Sequence, residues 1–213
     1  MSWNGYENKV LLRNEGPAAD GTPRYVDVAM AVGADLLQDA RGYAAFDFDH
    51  DGDLDLVLNH SEGDSGRPEL TQARLLRNDI GSRRPWLMIE VAGVQSNRDG
   101  IGAVVTVEAA GRRQVRRVEA GSGYASQHSG RLHFGLGDAE TVDRVTVRWP
   151  SGLEETYDDA IRARQRLLLV EGEGYRIAPL PGAAAPAAAA AGRQQAAGAA
   201  VGHEENTGGR PGP

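Results

Sequence analysis

The 213 residues predict a mainly β chain in two parts, a propeller-type repeat fragment followed by an antiparallel β-sandwich, with a disordered C-terminal tail. Three observations lead there. Short apolar stretches alternating with polar residues recur between turn signals along most of the chain. The motif Leu11-Leu12-Arg13-Asn14-Glu15-Gly16 returns as Leu75-Leu76-Arg77-Asn78-Asp79-Ile80-Gly81. From Ala183 onward the composition collapses to alanine, proline and glycine, with no amphipathic pattern to dock it.

The first part, residues 1–82, follows from the repeated motif. One full unit lies between the two copies and no third copy follows Asn78. A repeat of this length cannot bury its own apolar face, and arrays of such units need about three members. The segment therefore reads as a fragment or terminal unit, ending in a boundary at 80–85.

The second part, residues 83–175, reads as seven strands at 86–94, 102–109, 113–120, 131–136, 142–149, 153–157 and 165–171. Turn signals such as Asp99-Gly100 and Pro150-Ser151-Gly152 separate them, and this spacing suits a sandwich or small barrel. The only helix-like stretch in this part is 157–164. Residues 176–213 form the tail.

Composition removes several function classes. The balance of 23 basic against 30 acidic residues gives a formal charge of −7, which argues against nucleic acid or anionic membrane as the main partner and favours metal cations or a basic partner. With no cysteine, disulfides, thiolate zinc sites, iron–sulfur clusters and cysteine nucleophiles drop out. No apolar run reaches the roughly 18 residues of a membrane span, so membrane insertion is not expected. The opening residues lack a secretory pattern, and an export signal would have to lie in a longer precursor.

The strongest chemical signal is Phe46-Asp47-Phe48-Asp49-His50-Asp51-Gly52-Asp53-Leu54-Asp55. Aspartates this dense repel one another unless a cation neutralises them. Ca²⁺ does so with about six to eight oxygens at roughly 2.3 to 2.6 Å. Asp47, Asp49 and Asp51 hold loop positions 1, 3 and 5, and Gly52 at position 6 tolerates the positive φ of the sharp turn. The backbone carbonyl of Asp53 serves position 7 and the carboxylate of Asp55 position 9. An EF-hand needs a bidentate Glu at position 12 between two helices, but Leu58 stands there and both flanks alternate as strands. The pattern is a strand–loop–strand calcium site closed by Asp55. Mg²⁺ is the alternative ion, less suited to several carboxylates plus a carbonyl.

With this loop and the LLRN motif, residues 1–81 resemble an FG-GAP/VCBS repeat of the kind found in integrin α-subunit propellers. The stretches SNRDGIGAVVTV, GSGYASQHSGRLHFGLG and VDRVTVRWPSG resemble the ASPIC/UnbV domain. The resemblance implies a calcium-dependent adhesion or interaction module acting on a protein or glycan partner outside the cell, secreted or at its surface, with calcium in a structural role. It implies no enzymatic chemistry. The chain departs from the pattern in holding one complete calcium repeat where a closed propeller needs several.

Other motifs compete with this assignment. FDFDHDG also resembles the haloacid-dehalogenase phosphatase motif, with Asp47 as nucleophile, Asp49 as acid–base, and Asp138 and Asp143 imitating the later acidic motif. Against it, Asp51-Gly52 replaces the family's Gly-Thr or Gly-Val, and strand follows strand where that fold needs alternating helices. An accessory region of a larger enzyme is a further alternative. Gly63-Asp64-Ser65-Gly66 imitates a serine-protease nucleophile loop without room ahead of it for the two barrels such a fold requires. The five histidines lack zinc-ligand spacing. Arg112, Arg113, Arg116 and Arg117 alternate across both faces of a strand, as a solvated edge would, with an acidic-partner patch as the rival reading. Gly121–Gln127 suits a sugar or peptide in composition, and equally a long turn.

Overall fold

The computed structural model describes residues 8–38, 40–60 and 73–179. The Ala/Pro/Gly-rich tail and the Gly63–Gly66 loop lie outside them.

In the first part, β1 (Leu12–Pro17) and β2 (Pro23–Asp27) pair as an antiparallel ribbon, followed by a single helical turn, α1 (Ala29–Val32). A three-stranded antiparallel sheet follows in the order β3 (Ala40–Phe46), β4 (Asp55–His60), β5 (Arg74–Leu76). The first LLRN copy runs into β1, where Asn14 stands at a register shift inside the strand, and the second covers the end of β5, with Asn78 just beyond it. Each asparagine makes the same local turn. Asn14 Oδ1 accepts the Gly16 amide at 2.8 Å, and Asn78 Oδ1 accepts the Ile80 amide at 3.1 Å. Leu12, Tyr25, Met30, Val32 and Phe48 stand exposed, Met30 at 85%.

A 3₁₀ turn at Gly81–Arg83 leads into the sandwich. Its strands are β6 (Trp86–Ala92), β7 (Val104–Ala109), β8 (Arg112–Arg117), β9 (Leu132–Gly135), β10 (Thr141–Val142), β11 (Arg144–Arg148), β12 (Glu154–Tyr157), β13 (Ile161–Arg162), β14 (Gln165–Val170) and β15 (Gly174–Ala178). Two four-stranded sheets result, ordered β12-β11-β7-β8 and β15-β14-β6-β9. Strand alternation sends Leu87, Ile89, Val105, Val107, Phe134, Val145, Val147, Leu167 and Leu169 into one shared core, all fully buried. Each such side chain contributes about 1.5 to 3 kcal/mol.

Three details differ from the sequence expectation. The β6–β14 pair is parallel, its register running from Leu87↔Gln165 to Ala92↔Val170, inside an otherwise antiparallel sandwich. A parallel pair needs a long crossover, and here the chain from β7 to β13 supplies it. The segment 157–164 holds no helix; Ile161–Arg162 pairs instead with Thr141–Val142. β15 reaches Ala178, so the sandwich extends into residues assigned to the tail.

One buried carboxylate gathers the stretches that carry the ASPIC/UnbV resemblance. Glu171 Oε2 accepts the amides of Val94, Gln95 and Ser96 at 2.7 to 2.8 Å, and its Oε1 accepts the hydroxyls of Ser96 and Ser151. Burial alone would raise its pKa. The Ser151 hydroxyl, the Ser96 and Val94 amides and the Ser96 hydroxyl outweigh that and hold it at about 2. The SNRDGIG turn and the WPSG turn are thereby tied to the end of β14.

Candidate metal centre

The aspartate loop bridges Phe46, the last residue of β3, and Asp55, the first of β4, which are register partners. His50 at φ 62° and Gly52 at φ 99° turn the chain back on itself. Gly52 is required twice over: its conformation is left-handed, and a Cβ there would lie 1.9 Å from Trp86 Cε2. The loop is thus pressed directly onto the first strand of the sandwich.

Three of the predicted ligands converge. Carboxylate oxygens of Asp47, Asp49 and Asp55 all lie within 4.8 Å of one another. Asp55 is fully buried and held by the backbone, Oδ2 accepting the Phe48 amide at 2.7 Å and Oδ1 the Asn78 amide at 2.8 Å. Asp47 is 7% exposed, and among the described residues its Oδ1 has no hydrogen-bond partner. Asp49 is the exposed member, with Arg77 Nη1 at 3.9 Å from its Oδ2 while Arg77 Nε pairs with Asp79 at 2.7 Å.

The side chains of Asp51 and Asp53 take another direction, toward the 3₁₀ turn. Asp51 Oδ2 accepts the Ser82 hydroxyl at 3.0 Å, and Asp53 Oδ2 accepts the Ser82 amide at 2.8 Å. Asp51 Oδ1 also accepts the Asp53 amide at 3.1 Å, which tightens the turn. Asp53 is 2% exposed and keeps an unpartnered Oδ1 among the described residues. Neither the Asp51 nor the Asp53 carboxylate is a member of the three-carboxylate group.

Burial pushes the Asp47 carboxyl above the usual carboxylate range, with the Asp51 charge adding to the effect and the Gly52 amide opposing it. Burial likewise raises Asp53, opposed by the Ser82 amide and reinforced by Asp51 and Asp55. These are carboxylates whose surroundings leave negative charge uncompensated. The residues present fit a hard divalent cation: the group is all oxygen, contains no imidazole or thiolate, and includes a buried lone pair without a donor.

Sequence reasoning missed the residues that hold this loop in place. Ser82, Trp86 and His133 carry no local signal, and Asn78 is marked only as the asparagine of the second LLRN copy. His133 Nε2 lies 2.9 Å from the Gly52 carbonyl, so the ring carries its proton on that nitrogen, and the ring stacks on Trp86. Burial, then the nearby Arg116 charge, lowers its pKa despite the Gly52 bond. As for the phosphatase motif, Asp47 and Asp49 sit in an antiparallel hairpin rather than at the end of a parallel strand flanked by helices.

Residues 93–176 match the family model described as ASPIC and UnbV. Over 115 residues, 52% of the chain, the sequence is 35% identical to cartilage acidic protein 1 of Homo sapiens. It is 33% identical over 112 residues to the Xenopus tropicalis protein of the same name. The chain spans 16% of the length of these relatives. The family match begins beyond the aspartate loop, so the likeness of residues 1–81 to a calcium repeat stands on that loop and the repeated LLRN motif.

Proposed function

We propose that this chain is a calcium-binding adhesion or protein-interaction module of the extracellular type, in which Asp47, Asp49 and Asp55 hold a structural Ca²⁺. The observation that carries the reading is the buried, unpartnered Oδ1 of Asp47 beside two further carboxylates within 4.8 Å. The ion supplies the positive charge that this group lacks. The chain's own residues do the rest: Phe48 and Asn78 amides orient Asp55, Ser82 draws Asp51 and Asp53 to the boundary turn, and Gly52 seats the loop against Trp86 and His133. Calcium binding therefore stiffens the junction between the FG-GAP-like repeat and the ASPIC/UnbV-like sandwich, and the module presents a fixed surface to its partner. The extracellular setting is supported by the family match and by the likeness to proteins named for cartilage.

The test is thermal unfolding in Ca²⁺, in Mg²⁺ and in chelator. A ligand of the folded state at a hundredfold excess over its Kd stabilises by about 2.7 kcal/mol. Calcium raises the melting temperature and Mg²⁺ raises it less. Identical melting curves in calcium and chelator would remove the metal from the account.

A further inference from the structure

A cleft of about 320 Å³ runs between the β3 side of the first part and the β8–β9 edge of the sandwich, lined by Ala45 and Leu54 on one wall and Arg116, Arg117 and Arg131 on the other. Arg116 lies over the Phe134 ring, 5.6 Å from its centroid, which fixes the guanidinium without neutralising it. Among the described residues neither Arg116 nor Arg117 pairs with a carboxylate. Arg131 Nε is 3.5 Å from Glu90.

The remaining lining adds hydrogen-bond donors of defined orientation. The Ala45 amide donates to His128 Nδ1 at 3.1 Å, so the His128 proton sits on Nε2 and that nitrogen donates. Ser122 Oγ accepts the His128 amide and Ser129 Oγ accepts the Arg131 amide, which leaves both hydroxyl protons free to donate elsewhere. Glu119 is the one acid on the wall. On a chain of formal charge −7, three arginines against Glu119 and the Glu90 partner of Arg131 leave the wall net positive. Beyond His128, the Tyr43 ring lies 4.8 Å away and is half exposed, an apolar face beside the donors.

We propose that this cleft binds the anionic substituent of an acidic saccharide, a sulfate ester or a uronate carboxylate, on Arg116, Arg117 and Arg131, with the sugar ring against Tyr43. Guanidinium forks match either oxyanion, serine hydroxyls and the imidazole N–H match ring hydroxyls, and an aromatic face packs on the C–H face of a pyranose. The Gly121–Gln127 segment thereby acquires a role through Ser122. The cleft does not use the carboxylate group, so this inference goes beyond the calcium reading and is tested at one fixed calcium concentration.

The experiment is calorimetric titration of the full chain with a sulfated disaccharide, a uronate disaccharide, an uncharged disaccharide and hexaglutamate. At least one anionic disaccharide binds, more weakly as salt rises, and the uncharged sugar does not. The exposed Arg117→Gln change, alone and with Arg116→Gln, weakens binding about tenfold or more, ~1.4 kcal/mol. Arg176→Gln, exposed on β15 at the edge of the other sheet farthest from β9, leaves affinity and melting temperature unchanged. Among the described residues the Arg117 side chain makes no ion pair or hydrogen bond, so its single variant separates binding from folding. The proposal is overturned if neither anionic disaccharide binds, if hexaglutamate binds as tightly, or if Arg176→Gln weakens binding as much as Arg117→Gln.

Discussion

Replacing Asp49 by asparagine separates the repulsion that the loop carries without metal from the affinity it gains with it. An oxygen of Asp49 lies within 4.8 Å of oxygens on Asp47 and Asp55. Unit charges at that separation repel by roughly 0.9 kcal/mol in bulk water and about 3.5 kcal/mol at an effective dielectric near 20. Asp49 is exposed and Arg77 stands 3.9 Å away, so the lower end applies and part of it is already offset. Relief of two such pairs stabilises the metal-free variant by about 1 kcal/mol. With calcium bound, the same change removes a charged ligand and weakens the site. Asp49→Asn is therefore more stable than the parent chain in chelator and less stable in saturating calcium. Urea unfolding at graded free calcium reads both limits, and the two stability curves cross. A variant less stable at every calcium level refutes the repulsion; two parallel curves refute Asp49 as a ligand.

Glu171→Gln costs about 1.5 to 3 kcal/mol at neutral pH, the scale of hydrogen bonds to a charged acceptor. The folded pKa is depressed from 4.5 to about 2, so that stability is present above the unfolded value and is lost as pH falls from 4.5 toward 2; the gap between the two chains in urea midpoints narrows over that window. Gly52→Ala meets both a left-handed φ and the Trp86 ring, and the loss is about 2 kcal/mol or more with a red-shifted tryptophan emission; unaltered emission and stability would mean that the loop does not rest on Trp86. Separated pieces behave unequally: residues 83–179 stay folded and monomeric but expose Trp86, while residues 1–82 exchange amides quickly or self-associate, and a monomeric, well-protected N-terminal piece would count against the repeat-fragment reading.

What the sequence made legible was whatever is encoded locally. Alternation placed β6, β7, β11 and β14 because Leu87, Val105, Val145 and Leu167 recur at the period of a strand with one face in a core. Aspartate spacing with a glycine at the turn marked Asp47, Asp49, Asp51, Asp53 and Asp55; the carboxylates of Asp47, Asp49 and Asp55 come together through local backbone geometry, while those of Asp51 and Asp53 turn to Ser82. Contacts made across the chain left no such trace. Ser82 receives Asp51 and Asp53 from 31 and 29 positions away, and His133 meets Gly52 across 81. Nothing in the neighbourhood of a serine or a histidine announces such a partner. The parallel β6–β14 pairing escaped for the same reason, because alternation specifies a strand's faces and not its neighbour's direction. β15 was masked by its composition: Gly174, Arg176 and the approach to the proline-rich tail dilute a five-residue strand.

The central claim is that one divalent cation completes the Asp47, Asp49 and Asp55 group. Equilibrium dialysis against radioactive calcium, with Asp47→Asn dialysed beside the parent chain, addresses it most directly. One calcium ion retained per chain, and its loss in the variant while the melting curve in chelator stays cooperative, is the predicted result. No calcium retained by the parent chain, or the same stoichiometry and affinity in Asp47→Asn, would contradict it.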